Sequence, residues 1–395
     1  MRDPLRQPHG RKFACPGGYE AFVPNPLPPP LDWGPELVGA LSGADRAIGR
    51  LAGEGGRLPN PHLLLRPFVR REAVLSSRIE GTQATLGELL AAEAGTAVER
   101  SPADLREVAN YVVALEYGVE RLGNLPVCLR LVRELHEKLM RGVRGDAATP
   151  GEFRTSQNWI GPPGCALSKA SYVPPPPEKL MECLGAWEGY LHDDSLPPLV
   201  HAALLHAQFE AIHPFLDGNG RVGRLLVTLL LTARRVLPSP LLYLSAWFEA
   251  TRPEYYARLF GVTERDEWEE WLAYFLAGTA AQADDALARI RRIDELCAGW
   301  RKLLAGVRSR LPERALDLFV ENPFRSVTGL AERLGVAYTS AQRALDQLES
   351  AGIVERTNEA RRNRVYCARR LLEVLEEAPP LTAQVSSRAR GTELP

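Results

Sequence analysis

The run His213-Pro214-Phe215-Leu216-Asp217-Gly218-Asn219-Gly220-Arg221-Val222-Gly223-Arg224 constrains this chain most, because it interrupts two apolar stretches of helical character with a short, chemically dense loop. Before it, Pro198 to Ile212 carries Leu199, Ala203, Leu204, Ala207 and Ala211 at helical spacing; after it, Leu225 to Leu231 begins a second apolar run. Two helices joined by this loop are expected, with His213 where the first ends against Pro214. A neutral imidazole there, with an ordinary pKa near ~6.5, can take a proton from a hydroxyl nucleophile. Asp217 is the only carboxylate in the loop, and one carboxylate plus substrate phosphates is the usual way to hold Mg²⁺. Gly218-Asn219-Gly220 removes bulk where the backbone N–H groups of a helix N-terminus would approach an anion. Arg221 and Arg224 share a face of the first turn, where planar guanidinium groups can grip phosphate oxygens. Singly, each feature has an ordinary structural explanation in turn chemistry, helix dipoles or solvated arginines. Together and in this order they point to handling of a metal-bound polyphosphate.

The same residues resemble the signature of the Fic (Fic/DOC) family, His-Pro-Phe-x-Asp/Glu-Gly-Asn-Gly-Arg-x-x-Arg, at every fixed position. The resemblance implies transfer of AMP from ATP, with Mg²⁺, to a Ser, Thr or Tyr hydroxyl of a protein target. It implies His213 as the base, Asp217 as the metal ligand, and Gly218, Asn219 and Gly220 as the cradle of the α and β phosphates. Arg221 and Arg224 would bind the outer phosphates, and Val222 and Gly223 complete the nucleotide-binding run. A second segment, Val69 to Gly81, is patterned as a helix with Val74, Leu75 and Ile79 apolar and Gly81 at its end. Within it, Ser76-Ser77-Arg78-Ile79-Glu80-Gly81 resembles the family's inhibitory motif, Ser/Thr-x-x-x-Glu-Gly/Asn. That implies a brake in which Glu80 pairs with Arg224 and obstructs the γ-phosphate. A tethered carboxylate competes for the guanidinium at high effective concentration.

Between these segments, Gly151 to Pro177 places two β-prone runs, Asn158-Trp159-Ile160 and Ser171-Tyr172-Val173, around Gly161, Pro162, Pro163 and Gly164. The expected hairpin resembles the family's flap, which registers a target's main chain by strand addition. Leu242-Tyr243-Leu244-Ser245 and Arg252-Pro253-Glu254-Tyr255-Tyr256 are expected on short helices. Tyr256 is the candidate for lining the adenine site, although core packing explains Tyr255 and Tyr256 equally well.

The expected fold is mainly α: a Fic-type helical core with a β-hairpin flap, an N-terminal helical subdomain and a C-terminal winged helix-turn-helix. The boundaries are an extended Pro-rich segment over 1–33 and a helical subdomain over 34–123, with the inhibitory helix near 69–81. The core follows over 124–282 with the flap near 151–177, then a connecting helix over 283–310, a winged helix over 311–370 and a disordered tail over 371–395. Helices are expected near Cys128 to Arg141, Pro177 to Leu191, Pro198 to Ile212 and Val222 to Arg235, and Trp268 to Val307 reads as a long connector or an oligomer contact. In the winged helix, Ser340, Gln342, Arg343, Asp346 and Gln347 would lie on the recognition helix, and Arg361, Arg362 and Arg364 at the wing tip. Contact with DNA and contact with protein both remain open there, as does a homodimer.

A formal net charge of −1 over 395 residues gives no global pull toward nucleic acid or anionic membranes. The six cysteines lack disulfide or zinc spacing, and no segment approaches ~18 consecutive apolar residues, so a cytoplasmic protein without membrane contact is expected. The favoured function is an autoinhibited protein adenylyltransferase. The alternatives are a DNA-binding regulator with a nucleotide-sensing core, and an enzyme that removes AMP or transfers another phosphate-linked group.

Overall fold

The computed structural model describes residues 9–55, 61–96, 98, 101–143, 149–162, 164–237, 240–357 and 364–378. Along the chain run β1 (Gly10–Cys15), β2 (Tyr19–Pro24), α1 (Pro35–Gly55), α2 (Pro61–Ile79), α3 (Leu86–Glu93), α4 (Pro102–Arg121), α5 (Leu129–Met140), α6 (Pro177–Tyr190), α7 (Pro198–Ile212) and α8 (Asn219–Ala233). They are followed by α9 (Ser245–Ala250), α10 (Arg252–Arg265), α11 (Trp268–Leu304), α12 (Leu311–Glu321), β3 (Phe324–Ser326), α13 (Val327–Leu334), α14 (Tyr338–Ser350), β4 (Glu355–Arg356), β5 (Val365–Cys367) and α15 (Arg369–Glu376). The fold is therefore mainly helical, with small antiparallel sheets, as the sequence predicts. No described helix is long and apolar enough to cross a membrane.

Two compact units share the chain: Met1–Ile48, Asn110–Leu237 and Trp247–Ala280 form one, and Gly49–Ala109, Pro238–Ala246 and Ala281–Pro395 the other. In the first unit α7 is the central helix. It starts with proline at its first turn, is rich in Ala and Leu, and buries nearly every side chain, as a helix apolar on all sides must. Trp187 from α6 and Trp271 from α11 donate their indole N–H groups to the carbonyls of Leu205 and Ala203, at 3.0 and 2.9 Å. α8 packs along α7, so the ends of the two most buried helices meet at the loop 213–218.

In the second unit, α3 opens with a reciprocal cap: Thr85 accepts from the Glu88 N–H while the Glu88 carboxylate accepts from the Thr85 N–H. α12, α13 and α14 stand with the antiparallel sheet β3-β5-β4. α12 and α15 both pack on α2. The Glu72 carboxylate on α2 is buried, and accepts from the N–H and hydroxyl of Ser245 at 3.2 and 2.6 Å.

Four expectations need correction. The Pro-rich N-terminal segment is not simply extended. Residues 10–24 form the hairpin β1–β2, which the alternation in Tyr19-Glu20-Ala21-Phe22-Val23 after Gly17-Gly18 favours. Residues 371–376 belong to α15 rather than to a tail, and 379–395 lie outside the described residues. Leu242, Tyr243 and Leu244 precede α9 as buried non-helical chain. The flap is held by one bridge, Ile160 with Tyr172, rather than by two regular strands; Pro163 lies outside the described residues.

Candidate active site

α7 ends because His213 leaves the helical region for the left-handed one, at φ 50° and ψ 61°, while its N–H still reaches the Phe209 carbonyl. For a residue with a Cβ that geometry is strained and must be held by its surroundings. The holding groups are the carbonyl partners of residues 212–215. Arg154 donates through Nε to the His213 carbonyl at 3.0 Å and through its other nitrogens to Pro175, Ile212 and Ser156 carbonyls, while its own N–H reaches the Pro214 carbonyl at 2.9 Å. Asn158 donates Nδ2 to the carbonyls of His213 and Phe215, at 3.2 and 2.8 Å. Burial pushes the Arg154 guanidinium down to about 10, which leaves it charged at neutral pH. The sequence singles out neither of these roles, because an arginine in a Gly- and Pro-rich strip looks solvated.

His136 was equally hidden. It lies on the apolar face of α5, fully buried, stacked on Phe215 with ring centroids 3.7 Å apart and planes 4° from parallel. Gly151 donates its N–H to Nδ1 at 2.8 Å, so the proton sits on Nε2, which faces the Asp217 carbonyl at 3.1 Å. Burial pushes this imidazole down to about 4. A lone histidine among Leu131, Val132, Leu135 and Leu139 carries no sequence signal for a neutral ring that fixes a loop carbonyl.

The rest of the loop is equally determined. Gly218 caps α8 at φ 78°, and its N–H donates to Asp217 Oδ1 at 2.6 Å. Asn219 is buried, and its amide closes on Phe215 in both directions, accepting from the N–H and donating to the carbonyl at 2.8 Å each. Its side chain therefore shapes the loop, and any cradle for an anion is left to the backbone at the α8 N-terminus, where the first-turn amides carry partial positive charge. Asp217 keeps its side chain 52 % exposed, with the nearest Arg221 nitrogen 3.8 Å from Oδ1. Arg221 and Arg224 are both buried, and the Arg221 guanidinium also touches the Met140 sulfur at 3.5 Å. Val222 faces the core, and at Gly223 α7 approaches so closely that a Cβ would stand 2.3 Å from the Glu210 carboxylate.

Of the two tyrosines on α10, Tyr255 is fully buried, whereas Tyr256 is 42 % exposed with the Arg252 guanidinium 5.8 Å from its ring centre. Ser76, Glu80 and Gly81 lie in the second unit. Ser76 is buried within α2, Glu80 is exposed just beyond its end with its N–H on the Ser77 carbonyl at 3.0 Å, and Gly81 takes φ 99°. In the C-terminal elements, Gln342 is already engaged with Asp346 and the Tyr366 hydroxyl at 2.7 and 2.9 Å, Ser340 is half-buried, and Arg343 and Gln347 are exposed. Arg364 is half-buried, while Arg361 and Arg362 lie outside the described residues. Among the described residues no group of three His, Cys, Asp or Glu side chains is placed to hold a metal by protein ligands alone.

The chain is similar to known families and proteins. Residues 38–120 match the Fic/DOC family N-terminal domain and residues 126–231 the Fic/DOC family domain. A protein adenylyltransferase Fic of Drosophila virilis is 34% identical over 159 residues, covering 39% of this chain and 30% of that protein. Its counterpart in Drosophila grimshawi is 33% identical over 159 residues, covering 39% of this chain and 31% of that protein. The chain thus spans about a third of the length of these curated relatives. In fold it is similar to a Fic family protein from Desulfovibrio desulfuricans G20, with a TM-score of 0.56 at 21% identity over 87% of this chain and 98% of that one. Both domains of the family are matched in succession, and the loop built on α7 and α8 lies within the second; residues 38–120 and 126–231 are thus Fic/DOC family domains.

Proposed function

We propose that this chain is a protein adenylyltransferase, transferring AMP from ATP to a Ser, Thr or Tyr hydroxyl and releasing pyrophosphate, with Glu80 as its brake. The observation that carries the reading is the loop 213–218 itself, whose strained start is locked by Arg154 and Asn158, whose Asp217 carbonyl is held by His136, and whose end is the N-terminus of α8. With the Nδ1 proton of His213 donated to the Glu210 carbonyl at 3.2 Å, Nε2 is the basic nitrogen. It takes the proton of the target hydroxyl as that oxygen bonds to the α-phosphorus, and the bond from that phosphorus to the β-bridging oxygen breaks. The backbone at Gly218, Asn219 and Gly220 would receive the α and β phosphates, beside Val222 and Gly223, and Arg221 and Arg224 would offset charge on the outer ones. Asp217 fits Mg²⁺: it is the exposed carboxylate of the loop, and Gly218 occupies only Oδ1. Bound there, the ion would neutralise phosphate charge. Tyr256, exposed on α10, is the candidate for contact with adenine.

The target is a protein segment in extended form. Phe22 of β2 donates its N–H to the Val173 carbonyl at 2.8 Å, so the hairpin β1–β2 covers one side of the flap. The opposite side, Asn158 to Ile160, has Trp159 and Ile160 exposed and is the edge to which a target strand would add. Residues 311–370 are read as a winged helix used for protein contact, because Gln342 on its third helix is tied to Tyr366 rather than presented to a groove. The six free thiols suit a cytoplasmic location. The deciding experiment incubates wild type, Glu80→Gly and Glu80→Gly/His213→Ala with ATP and Mg²⁺, followed by intact mass spectrometry. Gain of one AMP by Glu80→Gly alone is expected; labelling that survives His213→Ala would remove the base, and equal labelling of wild type and Glu80→Gly would remove the brake.

A further inference from the structure

Arg224 lies one turn into α8, and three elements of the first unit meet around it. Tyr255 from α10 is fully buried, with Phe248 stacked at 4.5 Å between ring centres, and its hydroxyl lies 2.8 Å from Nε2 of His206 on α7. The guanidinium of Arg224 hydrogen-bonds the same phenol. His206 is itself 2 % exposed, stacked within 6.0 Å of Phe248, Tyr255 and Trp271, and faces the Gly223 backbone. Directionality follows from the donors available. An arginine can only donate, so the phenol oxygen accepts from Arg224 and gives its own proton to His206 Nε2, which must be unprotonated. Burial, with the Arg224 charge second, pushes His206 down to about 3, consistent with a ring that stays neutral. No element of the 213–224 loop needs such a chain for folding alone: apolar residues at 206 and 255 would fill the same space without burying a phenol and an imidazole that must satisfy each other.

We propose that Tyr255 and His206 are positioning residues that aim the Arg224 guanidinium at the outer phosphates of the nucleotide, His206 acting through the Tyr255 hydroxyl. The inference rests on the adenylyl-transfer reading. Its specific consequence is discrimination by phosphate number. Losing the phenol hydroxyl loosens the group that meets the outer phosphates and leaves the groups that meet the α-phosphate in place.

The test uses the full chain carrying Glu80→Gly as parent, with Tyr255→Phe, His206→Phe and His206→Gln added singly. Affinities for ATP and for AMP are measured with Mg²⁺ by calorimetry, kcat and KM for AMP transfer by intact mass, and melting temperature alongside. Loss of a hydrogen bond to a charged group corresponds to about a tenfold change or more. Tyr255→Phe is therefore expected to weaken ATP by about that factor, raise KM for ATP and leave AMP affinity unchanged. His206→Phe should follow it, and His206→Gln, whose amide oxygen can accept from the phenol, should recover part of the loss. If Tyr255→Phe binds ATP as the parent does, or if ATP and AMP weaken equally together with the melting temperature, the positioning role is overturned and the network is structural. A parent that neither binds ATP nor transfers AMP would overturn the adenylyl-transfer reading instead, and this inference with it.

Discussion

A side chain at position 218 would meet two obstacles at once. The backbone there is left-handed, at φ 78°, and an added Cβ would stand 2.8 Å from the Met140 sulfur and 3.5 Å from the His136 ring. The left-handed conformation alone costs an L-residue about 1–2 kcal/mol. Met140 can turn away, but His136 is pinned at both nitrogens, so relief must come from a shift of the loop. Gly218→Ala is therefore expected to lower stability by about 1–2 kcal/mol in urea denaturation and, by moving the first turn of α8, to weaken ATP binding. Unchanged stability would mean that the loop is not confined at this residue. Asp217, next to it, is exposed, but its Oδ1 accepts from the Gly218 N–H and lies 3.8 Å from the buried Arg221 guanidinium, so Asp217→Ala is also expected to lower stability.

At the scale of elements, the strip 151–160 matters through Arg154, which joins that strip to the end of α7 and to Pro175. Four carbonyls, of Ser156, Pro175, Ile212 and His213, accept from one buried guanidinium. Each carbonyl left unsatisfied in a buried setting costs about 1–3 kcal/mol. Arg154→Met should thus lower stability by roughly 3 kcal/mol or more and abolish AMP transfer, while Arg154→Lys, a point donor without the fork, should recover part of the stability and little of the transfer. Thermal unfolding and transfer assays on the two variants check this, and a fully active Arg154→Lys would sink the idea that the fork sets the His213 backbone. The contrast also marks what was legible in advance. α5, α6, α7 and α8 fall where apolar periodicity puts them, and the motif on α7 and α8 was readable residue by residue, because its chemistry lies within one short stretch. Arg154, Asn158 and His136 were not, since their function is to reach carbonyls distant in sequence. α15 escaped for another reason. An eight-residue helix is marginal alone and forms here against α2 and α3, with Glu376 accepting from the Gly87 N–H at 2.8 Å and Arg289 bonding the carbonyls at its C-terminal end.

For the whole molecule, the same buried histidines make folding depend on pH. His136 is pushed down to about 4 and His206 to about 3, both chiefly by burial, against about 6.5 in the unfolded chain. Each is neutral when folded, and each takes up a proton on unfolding once the pH is below about 6.5. Their contribution to stability is therefore fully present above that pH and is lost as pH falls toward the folded values. Between roughly pH 6 and 5 these two rings alone let the unfolded chain hold up to two protons more than the folded one, and His201, also pushed down by burial, adds to the same effect; the unfolding free energy should fall by about 1.4 kcal/mol per pH unit from each of His136 and His206. Urea denaturation at closely spaced pH values measures that slope directly. His136→Phe removes one titrating ring, and the slope of that variant should be shallower by about 1.4 kcal/mol per pH unit. A slope unchanged by the substitution would mean that His136 is protonated in the folded protein, and the neutral ring that carries its Nε2 proton to the Asp217 carbonyl would have to be given up. If the slope falls by that amount, the His136 share of the stability lost on acidification originates beside the loop 213–218, and AMP transfer should decline with the folded fraction of the first unit as pH falls.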